Sequence, residues 1–338
     1  MQVTLISPRT TSAIRRRCQV FWIKSTIRLI GSLQMEHTRE NQHLDCLPLG
    51  SDRRSRSLSY LPEMRSRAPR RQRKYSDMAI EMCLTLGMVF RQPLRQTQGL
   101  MRSITGLFGV QIKVPDFSTL SRRSSGLKLH TQPRISSRAP VHLAVDSTGL
   151  KIFGEGEWLE QKHETKRKRR SWRKLHLGLD LASGEIVCSD LTHDAVGDPT
   201  ALPVLLDQVN GPVSRFFADG AYDGDPTTDL LAARFGSTVE VTITPTRNAA
   251  FSPNALLYPT VRDRHIADIS ARGRMAWQKK SGYNQRSRVE TLMGRWKTVI
   301  GPKLKARRFE NQKAEAKIGA HILNRMTRLG RPIFERSA

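Results

Sequence analysis

Near the C-terminal end of the chain, four residues of different chemistry stand at fixed distances: Tyr283, Arg286, Glu290 and Lys297, the pattern Y-x2-R-x3-E-x6-K. On a helix, steps of four and seven residues are about one and two turns, so Arg286, Glu290 and Lys297 share a face. That face offers a carboxylate for a metal ion, with one cation a turn before it and another two turns after it. A surface helix laced with i,i+4 ion pairs carries the same charges, so the helix alone leaves both readings open.

Two further carboxylates stand where short apolar runs end. Asp146 follows residues 141–145 as the chain turns polar at Ser147-Thr148-Gly149, and Asp219 follows Phe216-Phe217-Ala218 and precedes Gly220-Ala221-Tyr222-Asp223-Gly224. Carboxylates at the ends of adjacent strands lie at the rim of a sheet, where they can converge on a cation without being buried unpaired. Either aspartate alone also reads as a turn or capping residue. Asp180, beside a hairpin turn, and Asp198, in Gly197-Asp198-Pro199, read as ordinary turn sites; Asp223 is a further rival carboxylate.

The elements that must position these acids can be read from periodicity. Residues 141–145, 175–181, 185–191, 216–218 and 239–244 read as strands, with Ala182-Ser183-Gly184 as a hairpin turn and residues 227–235 as a helix. This order predicts an α/β domain with a mixed sheet over residues 140–330. Its last segment, residues 310–329, reads as an amphipathic helix with Ala314, Ile318, Ile322, Met326 and Leu329 on one side. Before the sheet, residues 75–125 read as three short helices. The first is capped by Ser76, the second begins near Pro93, and the third is capped by Asp116 with Phe117 and Leu120 inward. Three short helices in succession suggest a helix-turn-helix module whose last helix presents Arg122 and Arg123 to DNA. Residues 1–74 are rich in Arg and Ser without periodicity, and read as a basic, disordered or aberrant segment.

Composition agrees with a polyanionic partner. The 57 Lys and Arg outnumber the 30 Asp and Glu by a formal +27. Residues 1–140 carry 25 basic against 8 acidic side chains and residues 141–338 carry 32 against 22, so both halves are suited to face DNA. One stretch concentrates this charge: residues 162–174 include Lys166, Arg167, Arg169, Arg170, Trp172, Arg173 and Lys174. A basic run with an interleaved aromatic beside Asp146 is expected to grip a nucleic acid near that residue, although a solvated loop has the same composition. The 4 cysteines and 9 histidines show no zinc-ligand spacing. No apolar run is long enough for a membrane span, and a cytoplasmic, nucleoid-associated protein is expected.

Taken together, these segments resemble the insertion-sequence-5 family of bacterial DDE transposases. The resemblance covers about Tyr75 to Leu329. It rests on Tyr75-Ser76-Asp77, Leu94-Arg95-Gln96-Thr97, the run from Val114 to Arg123, Val145-Asp146-Ser147-Thr148-Gly149, Ala218-Asp219-Gly220-Ala221-Tyr222-Asp223, and the Tyr283 to Lys297 signature. It implies a ribonuclease-H-like catalytic domain with Asp146, Asp219 and Glu290 as its acidic ligands, in chain order. It also implies double-stranded DNA as partner, at terminal inverted repeats and at target sites, and a homo-oligomer assembled on that DNA. The expected reaction is strand cleavage and strand transfer. Two Mg²⁺ ions about 4 Å apart, with Mn²⁺ as a substitute, can activate the attacking oxygen and stabilise the leaving one. Carboxylates suit such hard cations. On this reading Asp146 bridges both ions, Asp219 holds one and Glu290 the other, while Tyr283, Arg286 and Lys297 contact DNA. The departure from the family is the N-terminal segment, for which a disrupted frame or a wrong start is expected; an inactive copy, or a DNA-binding protein without catalysis, is the rival reading.

Overall fold

Leu175, Leu177 and Leu179 alternate with Lys174, His176 and Gly178, and this period of two decides which side of a central strand faces which core. The computed structural model describes residues 74–127, 129, 140–152 and 172–330. In it, that strand is β2 (Trp172–Asp180), lying between β1 (Val141–Ile152) and β3 (Ile186–His193). Both neighbours are antiparallel to it. The β2–β3 turn uses Gly184 at φ 73°, a conformation that favours glycine. Beyond β1 the pairing becomes parallel. Strands β4 (Val213–Ala218) and β5 (Glu240–Ile243) complete the order β3-β2-β1-β4-β5, and β6 (Lys303–Leu304) adds to the far end of β1.

Both faces of the sheet are covered. On one side lie α4 (Asp198–Leu206) and α5 (Asp225–Phe235), whose Leu202, Leu205, Leu206 and Leu231 pack with Leu143, Val145, Val187 and Phe216. On the other lie α8 (Ser287–Val299) and α9 (Phe309–Arg328), which bury Val289, Leu292, Trp296, Ala316 and Leu323 against Ala144, the β2 leucines and Phe217. Each large side chain so buried contributes about 1.5–3 kcal/mol. Between β5 and α8 the chain forms two further helices, α6 (Val261–Arg272) and α7 (Arg274–Ser281). The mixed α/β sheet agrees with the fold expected from the sequence.

The three N-terminal helices form where capping residues place them: α1 (Asp77–Val89), α2 (Leu94–Leu107) and α3 (Phe117–Ser124). Ser76 accepts from the Ala79 N–H and Asp116 from that of Thr119. Their apolar faces, including Ile80, Leu86, Met101, Ile104 and Leu120, do not close on one another alone. Ala314, Ile318 and Ile322 of α9 complete that cluster, so α9 serves two cores at once. No helix among the described residues is long and apolar enough to cross a membrane.

Candidate active site

β1 does not end at Asp146, as the polar turn of its sequence suggested; it runs on to Ile152 because β2 pairs with it from Leu143 to Lys151. What ends near Asp146 is the pairing on the opposite edge. There β4 accompanies β1 only as far as Ala144, whose partner is Phe217, and β6 joins only at Lys151 and Ile152. Asp146 occupies the gap. Asp219 follows the last residue of β4, near enough for its charge to act on both Asp146 and Arg286. After Ala218 the chain leaves the sheet in a 3-10 turn, Gly220–Tyr222, in which Asp219 Oδ1 accepts from the Ala221 N–H at 3.1 Å. A side chain at Gly220 would meet the Thr244 carbonyl at 3.1 Å, so this close approach to the end of β5 favours glycine.

The third carboxylate arrives on α8. Val289, Leu292, Met293 and Trp296 hold this helix on the sheet, which leaves Glu290 on the rim, its side chain 56% exposed. Trp296 is seated against Gly319 of α9, where an added Cβ would lie 2.5 Å from the indole. Arg286 does not lie within the helix, as the seven-residue reasoning assumed, but ends a 3-10 turn, Tyr283–Arg286, immediately before it. Its guanidinium donates to Asp146 Oδ2 at 2.9 Å and also to Glu290 Oε1, and it lies 5.7 Å from the centre of the Tyr283 ring.

One guanidinium therefore spans two of the three acids. Burial pushes the Asp146 carboxyl up from its ordinary pKa, with the charges of Asp219 and Glu290 adding to it and the Ser147 N–H and Arg286 opposing. Burial works against the charge of Arg286, yet Tyr283, Asp146, Glu290 and Asp219 together hold its pKa above the usual value. As donors the acids supply only carboxylate oxygen, the chemistry that Mg²⁺ and Mn²⁺ favour. Among the described residues, no group of three His, Cys, Asp or Glu is gathered closely enough to hold a metal ion as it stands; Asp146 and Glu290 share Arg286 instead.

A family model described as a transposase DDE domain matches residues 137–325, more than half of the chain, and a second model of the same description matches residues 58–155. The chain belongs to the transposase DDE domain family. The longer match spans β1 to α9 and takes in Asp146, Asp219 and Glu290. The crystal structure of the Mos1 mariner paired end complex with Mn aligns over 96% of this chain and 97% of that one, at 13% identity and a TM-score of 0.22, a superposition too loose to bear on the arrangement of this chain.

The side chains expected to touch DNA fall in unequal places around this DDE domain. Lys297 is exposed on the last turn of α8 and makes no hydrogen bond or ion pair among the described residues. Tyr283 is buried, and burial raises its hydroxyl pKa. Arg122 is exposed on α3, whereas Arg123 turns inward to Asp77 and to the Tyr75 carbonyl, 3.0 Å away. Lys166, Arg167, Arg169 and Arg170 lie outside the described residues. Trp172, Arg173 and Lys174 belong to β2 rather than to a loop. The Trp172 ring lies against Gly149 and beneath the Lys151 ammonium, 5.6 Å away. Arg173 donates to Gln312 at 3.1 Å and lies over Phe309, and Lys174 donates to the Val196 carbonyl at 3.0 Å and to Asp198 at 3.2 Å.

Two features had escaped sequence reasoning. On the opposite face of the sheet from the acids, the fully buried His176 donates or accepts at Thr192 Oγ1, 2.8 Å away, while its other nitrogen faces Asp198 at 3.7 Å without a hydrogen bond. The alternation of Lys174 and His176 along β2 was a signal that both point to one side, toward Asp198. Arg91, in the left-handed region at φ 57°, donates to the Thr298 carbonyl at 2.9 Å and so ties α1 to the C-terminal end of α8. No local pattern announces a contact across 207 residues.

Proposed function

We propose that this chain is a transposase of the insertion-sequence-5 type, which binds terminal inverted repeats and cuts and joins DNA strands at Asp146, Asp219 and Glu290. The observation that carries this reading is the shared cation: a rim aspartate and a helix glutamate from distant parts of the chain meet on one guanidinium, and the charge of a second strand-end aspartate acts on the first. Membership of the DDE domain family supports metal-dependent DNA cleavage, and the mixed sheet supports a ribonuclease-H-like form of it.

Bound at the three carboxylates, Mg²⁺ or Mn²⁺ supplies an activated water or 3′-hydroxyl and stabilises charge on the leaving oxygen. The protein does the rest. The sheet fixes Asp146 and Asp219, and the packing of α8 brings up Glu290. Arg286 and Lys297 offer cations to phosphate near the scissile bond, while the exposed Arg122 on α3 contacts duplex DNA in the helix-turn-helix manner. The active assembly is a homo-oligomer on DNA in the bacterial cytoplasm.

The test uses the full chain, DNA carrying its terminal repeats, and Mg²⁺. Strand nicking is expected and is lost in Asp146→Ala, Asp219→Ala and Glu290→Ala, by 10³-fold or more if all three act in the same step (order of magnitude). Specific binding of the repeats without cleavage by the unsubstituted chain would instead identify a DNA-binding protein that has lost its chemistry.

A further inference from the structure

Arg286 stands where a divalent ion would compete with it for two carboxylates and a nucleic acid could take it up. Its side chain is only 17% exposed, and its donors are divided between Asp146 Oδ2 and Glu290 Oε1, the two acids that come from opposite sides of the site. Beneath it lies Tyr283, which also raises its pKa. A carboxylate that donates a lone pair to a guanidinium has that lone pair blocked for a metal ion. A cation shared by two carboxylates also relieves the repulsion that would otherwise hold them apart.

We propose that Arg286 is a built-in counter-cation that keeps Asp146 and Glu290 together before metal arrives, is displaced by the incoming divalent ion, and is thereby released toward a DNA phosphate. The inference rests on the metal-binding role assigned above to these acids. Guanidinium and divalent ion are alternative occupants of the same oxygens, so metal uptake and release of the arginine are one exchange. Each charge-assisted hydrogen bond given up opposes metal binding, which makes the DNA-free protein a weak metal binder. A phosphate that accepts the displaced guanidinium offsets that loss, so DNA strengthens metal binding through the arginine. The same coupling works in reverse, and metal strengthens the hold of Arg286 on DNA.

The experiment is a Mn²⁺ titration of the full chain without DNA, read by the electron paramagnetic resonance of free Mn²⁺. It is run on the wild type, on Arg286→Gln and Arg286→Lys, and on each of these with Asp146→Asn added. Arg286→Gln is expected to bind Mn²⁺ about tenfold tighter or more, corresponding to the loss of one charge-assisted hydrogen bond. Arg286→Lys, which keeps the charge but loses the two-pronged fork that bridges both acids, is expected to bind Mn²⁺ with an affinity between those of the wild type and Arg286→Gln. Asp146→Asn should abolish the binding in every background. Equal or weaker binding by Arg286→Gln overturns the proposal, because the arginine would then not compete with the metal ion for the acids' oxygens. If that result accompanies binding that Asp146→Asn abolishes, the metal-binding reading survives alone; if no protein binds Mn²⁺ in an Asp146-dependent way, both fall. Should Arg286→Gln fail to fold, the wild type decides: the Arg286 side-chain N–H resonance, identified by its absence in Arg286→Lys, must shift on saturation with Mg²⁺, and an unmoved resonance overturns the proposal.

Discussion

Asp180 at the β2–β3 turn shows how a carboxylate can be structural in a chain whose proposed site is built from carboxylates. It is buried, and it accepts from the backbone N–H groups of His142, Ala182 and Ser183 and from the Ser183 hydroxyl. Against the effect of burial, these donors hold its pKa below the ordinary value. The sign of the pH dependence follows. A lowered native pKa gives stability that is present above the ordinary carboxyl range, near pH 3.9, and is lost as pH falls through the native pKa. Asp180→Ala is expected to cost about 2–3 kcal/mol at pH 7, because it orphans buried donors. Urea denaturation should show that difference shrinking below about pH 4; a difference constant down to pH 2 would mean that the carboxylate contributes no charge-dependent stability. The contrast with Asp146 is physical: burial pushes the Asp146 pKa up, and its one backbone donor and the Arg286 guanidinium, set against two acidic neighbours, do not offset it, whereas the several N–H donors of Asp180 do.

At the scale of elements, the position of Glu290 depends on how closely α8 and α9 approach. Gly319 lets the Trp296 indole enter the space that a side chain would fill. Gly319→Ala should push α8 off the sheet by a few tenths of an ångström or more, at about 1–3 kcal/mol, the range for overpacked cores. Thermal unfolding and Mg²⁺-dependent nicking should both fall. Adding Trp296→Leu should recover part of the stability by vacating the indole volume; no recovery would show that Gly319 matters for a reason other than Trp296. The strands, the hairpin and the three N-terminal helices were legible in the sequence because each is specified by its own alternation, caps or turn residues. The extension of β1 beyond Asp146 was not legible, since the partner that sustains it, β2, begins at Trp172, beyond a basic run that reads as a loop.

For the whole molecule, the sharing of α9 matters most. Ile318 and Ile322 face the N-terminal helices while Ala316, Ala320 and Leu323 face the sheet. A helix that completes two cores couples their unfolding. Ile318→Ala, expected to cost about 2–4 kcal/mol, should lower one cooperative transition in calorimetry. Two transitions, of which only the first moves, would mean that the helices and the sheet unfold independently. The hydrogen bond between Glu81 and His321 and that from Arg91 to the end of α8 add polar links along the same boundary.

The sequence by itself determined the kind of elements present and the charge surplus, and it put forward the three acids, because periodicity, capping and composition are properties of neighbouring residues. It also placed Glu290 with Tyr283, Arg286 and Lys297 at fixed spacing. Only the tertiary structure decided which of those cations meets the acids. Arg286 reaches Asp146 across 140 residues while Lys297, on the same helix signature, stays exposed and unpaired among the described residues. It likewise gave Arg123, Arg173 and Lys174, which the sequence put forward as DNA contacts, partners within the protein itself. The reason is that a side chain's partner depends on strand register and helix packing, and those are fixed by contacts between segments that no local pattern can pair.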